Sequence, residues 1–159
     1  RIMVLGIPNV GKSSLLNRLA GRKAARTGDR PGITRGPQWV RIEENLELLD
    51  TPGVLWSHWQ EHETALWLGA IGCVPEGMLP VTEIAVLVAN FLLAQVPENL
   101  VARYGIPPGA ATGHELLEAL GRRRGYLLPG GVVDHEKTAL ALINDFRDGL
   151  LGRFTLELP

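Results

Sequence analysis

The apolar residues of this chain change period several times, and each change marks an element. "RIMVL", Arg1 to Leu5, is a short continuous apolar run that reads as a buried strand. "SSLLNRLAG" then moves to helical spacing, with Leu15, Leu16 and Leu19 on one face and Gly21 ending the helix. "WVRIEENLELL" has the look of a hairpin turning at Glu44-Asn45, and its second strand runs into an acid, Asp50. Composition breaks near "CVPEGMLPV", which places a boundary around Gly77 to Pro80. Beyond it "IAVLVANFLLA" reads as a buried helix, too short for the roughly 20 residues of a membrane span. "ENLVARYG", "TGHELLEALGRRRG" and "VDHEKTALALINDFRDGLLG" are helix-like, with Pro/Gly-rich stops at "IPPGAA" and "LLPGG" between them. Thr112 and Asp134 are N-cap candidates, and Glu115 follows Thr112 at capping-box spacing. Leu140, Ile143, Phe146 and Leu150 mark the expected apolar face of the last helix.

The expected organisation is therefore α/β over 1–79 and a small helical domain over 80–159. The length of 159 residues, 45% of them hydrophobic, suits one ordinary domain or two small ones. A net charge of -1 makes no global demand for nucleic acid, but the charge is uneven. Arg22, Lys23, Arg26, Arg30 and Arg35 lie between Arg18 and Arg41 against one acid, Asp29, and Arg122 to Arg124 form a second cluster. Either cluster suits RNA phosphate, and either suits a solvated helix end. The single cysteine, Cys73, excludes a disulfide framework or a Cys-rich zinc site and reads as a buried reduced thiol. The sequence as given opens without a secretory signal, which truncation would hide.

The chemistry begins at "GIPNVGKSS", Gly6 to Ser14. G-x-x-x-x-G-K-S between a strand and a helix is a phosphate loop: backbone N–H groups curl around the phosphates, Lys12 reaches the β/γ oxygens and Ser13 ligates Mg²⁺. The helix N-terminus adds unpaired N–H groups and a favourable dipole. Asn9, Val10, Gly11, Lys12, Ser13, Ser14 and Gly53 are the expected nucleotide contacts. In "LELLDTPG" an apolar strand ends in Asp50, placed to hold Mg²⁺ directly or through water, and the Gly53 N–H could meet a γ-phosphate. Between the two motifs, "RTGDRPGITRG" carries Thr34 where a loop could close over the γ-phosphate and Mg²⁺.

These three pieces resemble a GTPase of the translation-factor-related class, with "GIPNVGKSS" as phosphate loop, "PGIT" as first switch and "DTPG" as second. The resemblance implies Lys12 on phosphate, Ser13 and Thr34 on Mg²⁺, Asp50 near Mg²⁺, and Lys12, Thr34 and Gly53 as the catalytic set. In related potassium-activated GTPases the asparagine found here as Asn9 helps coordinate K⁺. Such GTPases read guanine through N-K-x-D, which occurs nowhere in this sequence; "NDFRD" lacks the lysine and sits in a helical pattern. An early phosphate loop without a guanine motif fits a circularly permuted GTPase whose base-reading half precedes the loop.

The tail agrees with that arrangement. "LPVTEIAVLVANFLLA", "RRRGYLLPGGVVDHEKTALALINDFRDGLLGRFTLELP" and the order of elements resemble the ribosome biogenesis GTPase A (YlqF/RbgA) family across essentially the whole chain. The match is to the C-terminal part of a full member, and a chain opening on Arg1 rather than Met is consistent with truncation. The resemblance implies a partial P-loop GTPase core of Rossmann-like three-layer form, GTP and GDP as ligands, and Mg²⁺ with K⁺ as cofactors. It further implies the large ribosomal subunit and its RNA as partners, no membrane, and a bacterial cytoplasmic setting, an organelle being the other possibility. The absence of a Cys/His module separates the chain from permuted GTPases of small-subunit maturation.

Two other functions compete with a hydrolysing switch. "HWQEH", His58 to His62, matches H-x-x-E-H of inverted zinc peptidases, with Glu61 as general base, but no third ligand stands out on a later helix. A nonhydrolysing, nucleotide-dependent RNA-binding module would share the phosphate loop. Hydrolysis itself is expected to be slow, because Val54, Leu55 and Trp56 follow Gly53 where many GTPases place a water-orienting glutamine. His58 is an in-chain candidate for that work. Three strands without the rest of a GTPase sheet would also leave an exposed edge and an uncovered apolar face, so the segment alone is expected to be poorly stable or self-associated.

Overall fold

The computed structural model describes residues 1–22, 24–25, 34, 36–56, 59–106 and 112–156. They fall into two compact units, Arg1–Glu76 and Gly77–Pro159.

In the first unit, β1 (Ile2–Val4), β2 (Gln38–Glu43) and β3 (Leu46–Asp50) form a sheet in the order β1-β3-β2. β1 runs parallel to β3, with Val4 opposite Asp50, and β2 runs antiparallel to β3, with Gln38 opposite Asp50. Glu44 and Asn45 make the turn expected of them. The parallel pairing of β1 to the far strand of the hairpin is what brings the ends of β1 and β3, and so the two phosphate motifs, side by side. Helix α1 (Lys12–Ala20) ends at Gly21 in the left-handed conformation, as a C-terminal glycine should.

Two sequence expectations need correction here. Ile2 and Met3 are 54% and 55% exposed, so β1 is not a buried strand. On α1 only Leu16 is buried, while Leu15 and Leu19 are 52% and 55% exposed. The physical reason is shared: a sheet of three strands has too little area to cover both an apolar strand and a full leucine stripe. Helix α2 (His62–Ala70) was not apparent in the pattern, because Ala65, Leu66, Leu68, Gly69 and Ala70 are all buried and leave no polar face to set a 3.6-residue period.

The second unit is helical: α3 (Val81–Gln95), α4 (Pro97–Tyr104), α5 (Gly113–Arg124) and α6 (His135–Arg147). α3 is the hub, burying Ile84, Ala85, Val88, Ala89 and Leu92, and it packs against α4, α5 and α6. Pro97 opens α4 where its missing N–H costs nothing. Both expected caps form. Thr112 Oγ1 accepts from the Glu115 N–H at 3.3 Å, and Asp134 Oδ1 accepts from the Lys137 N–H at 2.9 Å. Between α5 and α6 the chain doubles back through a bridge pairing Leu127 with Val133. Phe154 returns to stack on Phe146 at 5.9 Å and to meet Phe91 edge-on at 5.4 Å.

The apolar face of α6 differs from the one its spacing suggested. Leu140 and Leu150 are about half exposed, and Ala139, Leu142 and Ile143 form the buried side. Position 150 lies past the end of the helix, where helical spacing no longer governs direction. Among the described residues no single helix is long and apolar enough to cross a membrane; α3 and α4 together would be, but they meet at a 110° bend.

Candidate functional site

Three segments of the first unit meet at Asp50. It closes β3 with no exposure to solvent, a severe position for a carboxylate unless partners surround it. Ser13, in the first turn of α1, donates to Asp50 Oδ2 at 2.9 Å. Thr34 Oγ1 lies 3.1 Å from Ser13 Oγ and donates to the same Oδ2 at 3.4 Å. Gln38, at the start of β2, donates from Nε2 to Oδ2 at 3.3 Å. The other oxygen, Oδ1, is buried and has no hydrogen-bond partner among the described residues.

That distribution is lopsided. Among the described residues, one oxygen collects all three donors while its twin, equally shut off from water, collects none. A buried acceptor left bare costs about 1–3 kcal/mol, more when it is charged. Hydroxyl oxygens and a carboxylate at hydrogen-bond distance from one another make a hard, oxygen-only donor set of the kind Mg²⁺ takes. The residues present therefore fit a divalent cation bound beside the bare oxygen.

The phosphate loop stands next to this cluster. Lys12 folds back over it, its Nζ donating to the carbonyls of Gly6 at 3.1 Å and Ile7 at 2.7 Å. Two residues take left-handed backbone, Gly11 at φ 88° and Asn9 at φ 64°. The Leu15 N–H donates to the Gly11 carbonyl at 2.8 Å, so the first turn of α1 grows directly out of the loop. Val10 and Ser14 are exposed beside it.

The second motif is fastened to the first through its backbone. Thr51 donates to the Val4 carbonyl at 2.7 Å, and the Val54 N–H to the Gly6 carbonyl at 3.3 Å. Gly53 lies so close to the loop that a Cβ there would collide with the backbone of Pro8 and come within 2.9 Å of the Ile7 carbonyl carbon. Only glycine fits.

The sequence reading missed some supports. Asn9 donates from Nδ2 to the Gly72 carbonyl at 3.1 Å, and the buried Cys73 thiol donates to the Pro8 carbonyl at 2.9 Å. Together they moor the phosphate loop to the turn after α2. Asn17 accepts from the N–H groups of Ala24 and Ala25 and donates to the Ala25 carbonyl at 2.8 Å, fixing the chain as it leaves α1. Gln38 was missed as well, since a lone glutamine at a strand start carries no motif; only cross-strand register brings it to Asp50.

Other candidates fare differently. Lys23, Arg26, Arg30, Arg35 and His58 lie outside the described residues. A zinc site of the H-x-x-E-H type sets its two histidines on one helix face, but here α2 begins at His62, with Glu61 as its N-cap residue. No group of three or more His, Cys, Asp or Glu side chains placed to hold a metal occurs among the described residues. In the second unit, Arg122 pairs with Glu118 at 2.6 Å, and Arg124 sits 3.7 Å from Asp145 and 5.4 Å from the centre of the Tyr104 ring.

Comparison with known proteins agrees with the geometry. Residues 1–76 match the family model described as 50S ribosome-binding GTPase. Over all 159 residues the chain is 43% identical to ribosome biogenesis GTPase A of Priestia megaterium, covering 55% of that protein. It is 31% identical over its whole length to the protein of the same name from Thermotoga maritima, covering 56% of it. The chain thus spans about half the length of the curated relatives it matches. The GDP-bound structure of Thermotoga maritima YlqF superposes with a TM-score of 0.64 at 29% identity, covering 99% of this chain and 60% of that one. The GNP-bound crystal structure gives 0.62 at 28%, covering 99% and 58%. Over its whole length the chain is thus a homologue of part of the ribosome biogenesis GTPase A (YlqF) proteins, with a GTPase domain in residues 1–76.

Proposed function

We propose that this chain carries the phosphate-binding and switch half of a GTP-hydrolysing protein that assists assembly of the large ribosomal subunit. The observation that carries the reading is the convergence of Ser13, Thr34 and Asp50 beside the Lys12 loop, with the buried Asp50 Oδ1 left bare. Nucleotide contacts fall to Asn9, Val10, Gly11, Lys12, Ser13, Ser14 and Gly53. Ser13, Thr34 and Asp50 would hold Mg²⁺, and Asn9 would contribute to a K⁺ site. A cation held by these residues would supply charge neutralisation to bound phosphate.

The chain's own contribution is positional. Lys12 holds the phosphates, Gly53 offers its N–H to the γ-phosphate, and Thr34, whose hydroxyl meets Asp50, would report the presence of that phosphate. Val54, exposed and aliphatic, cannot hydrogen-bond an attacking water. Water positioning is assigned to a group beyond these side chains, and intrinsic turnover is slow. Guanine is read by a part of the protein outside these 159 residues, in the circularly permuted order. Residues 80–159 form the RNA- and ribosome-facing domain, and the protein works in the bacterial cytoplasm.

The test uses the full-length protein with precursor large subunits. Tighter binding with a nonhydrolysable GTP analogue than with GDP, and turnover stimulated by the subunit and by K⁺ over Na⁺, are the expected results; a switch requires that difference in affinity. Equal binding in both nucleotide states overturns it. Lys12→Ala separates the hydrolysing switch from a passive nucleotide-dependent RNA binder. The switch hydrolyses GTP as wild type and loses that turnover in the variant, whereas a passive binder has no turnover to lose.

A further inference from the structure

Gln38 has no place in the three motifs, yet the fold brings it to their shared acid. β2 and β3 pair so that Gln38 stands directly opposite Asp50. Directly opposed residues on an antiparallel pair project to the same face, with Cβ atoms about 5 Å apart. A glutamine side chain bridges that gap, and its Nε2 reaches Asp50 Oδ2 at 3.3 Å.

From this geometry we infer that Gln38 is a positioning residue, which clamps the Asp50 carboxylate from the neighbouring strand and so sets how tightly the site holds its divalent cation. The inference rests on the reading of Asp50 as part of a Mg²⁺ site. Ser13 and Thr34 have hydroxyl oxygens that can face a cation while still donating to Asp50; the amide nitrogen of Gln38 is a donor only. At this contact its effect must pass through the carboxylate. The three donors arrive from α1, from Thr34 and from β2, and all take Oδ2. A carboxylate held at one oxygen from three directions cannot swing about its Cβ–Cγ bond. Its second oxygen is thereby fixed in place, bare and buried. Gln38 also lies only four residues beyond Thr34, so the stretch that supplies the switch hydroxyl is anchored at its far end to the same acid.

The experiment follows release of fluorescently labelled GDP from full-length protein across a Mg²⁺ titration that begins in EDTA. Gln38→Met keeps the length and removes the donor, and Gln38→Glu sets a second negative charge against Asp50. In EDTA, both variants should release at rates close to wild type. The Mg²⁺ concentration that half-maximally slows release should rise about tenfold in Gln38→Met, as for loss of one hydrogen bond to a charged group, and further in Gln38→Glu. An unchanged midpoint in Gln38→Met overturns the inference. So does faster release with and without Mg²⁺ alike, the mark of a merely structural residue. If wild-type release is itself indifferent to Mg²⁺, the metal reading of Asp50 fails and this inference fails with it; that outcome shows in the wild type alone.

Discussion

Gly53 runs against Pro8 with no room for a side-chain carbon between them. The contact joins the second phosphate motif to the first, backbone to backbone, and neither partner can yield by turning a rotamer. Gly53→Ala should therefore push the two loops apart. A cost of about 1–3 kcal/mol is expected, as for other overpacked sites, together with weakened nucleotide binding. Thermal unfolding and labelled-GDP affinity measure the two effects. An alanine variant with wild-type values in both would mean that the loops separate freely.

A similar closeness holds the second unit together. A Cβ on Gly121 would collide with Val133 and lie 2.7 Å from Thr138 Oγ1, so at this glycine α5 comes close to both α6 and the strand-like return. Here the obstructing atoms are side chains, both on buried β-branched residues with little rotamer freedom. Gly121→Ala should lower stability by about 1–3 kcal/mol despite its better helix propensity. Denaturant unfolding decides the sign, and a stabilised variant would refute the packing account.

The two caps should behave as independent local contributions. Thr112→Ala and Asp134→Ala each remove a side-chain acceptor from a helix N-terminus, for about 1 kcal/mol apiece. Their sum should appear in the double variant, because the residues begin different helices and bond different partners. A double variant no worse than either single one would show that the helix starts are not held by these side chains.

Asp145 gathers groups from two other helices: Arg103 at 3.0 and 3.2 Å, the Tyr104 hydroxyl at 3.0 Å, and Arg124 at 3.7 Å. Burial, and then the neighbouring Asp145 charge, push the Tyr104 phenol well above its ordinary value of 10.0. A raised pKa in the folded state means that the neutral phenol favours folding. Its contribution is complete below about pH 10 and falls away as pH climbs past the unfolded-state value. Tyr104→Phe should cost about 1 kcal/mol near neutrality, with a gap from wild type that narrows above pH 10. Melting temperatures of both proteins at neutral and alkaline pH test this, and a gap independent of pH would contradict it.

What the sequence revealed divides along physical lines. The turn at Glu44-Asn45, the caps at Thr112 and Asp134 and the glycine ending α1 rest on chemistry within a few residues, and they were legible. The facing of Leu15, Leu19 and Leu140 was not, because which side of a helix is covered depends on what packs there. Spacing marks a stripe but supplies no neighbour. At the site, Lys12, Ser13 and Asp50 are visible because their motifs have fixed intervals. Gln38, Asn17 and the Cys73–Pro8 contact depend on distant segments meeting, and a linear pattern holds no trace of that.

The bare oxygen of Asp50 ties occupancy to survival. A carboxylate lodged in the interior with one oxygen unmatched is a fault line in the first unit, and on the proposed reading a cation matching it would mend the fault. Ligands that bind only the folded form stabilise it by mass action. A molecule loaded with nucleotide and metal is then also the one that opens least often and offers proteases the fewest chances. Cellular lifetime would follow the loading of the site, so the pool of this protein would be curated toward molecules ready to act.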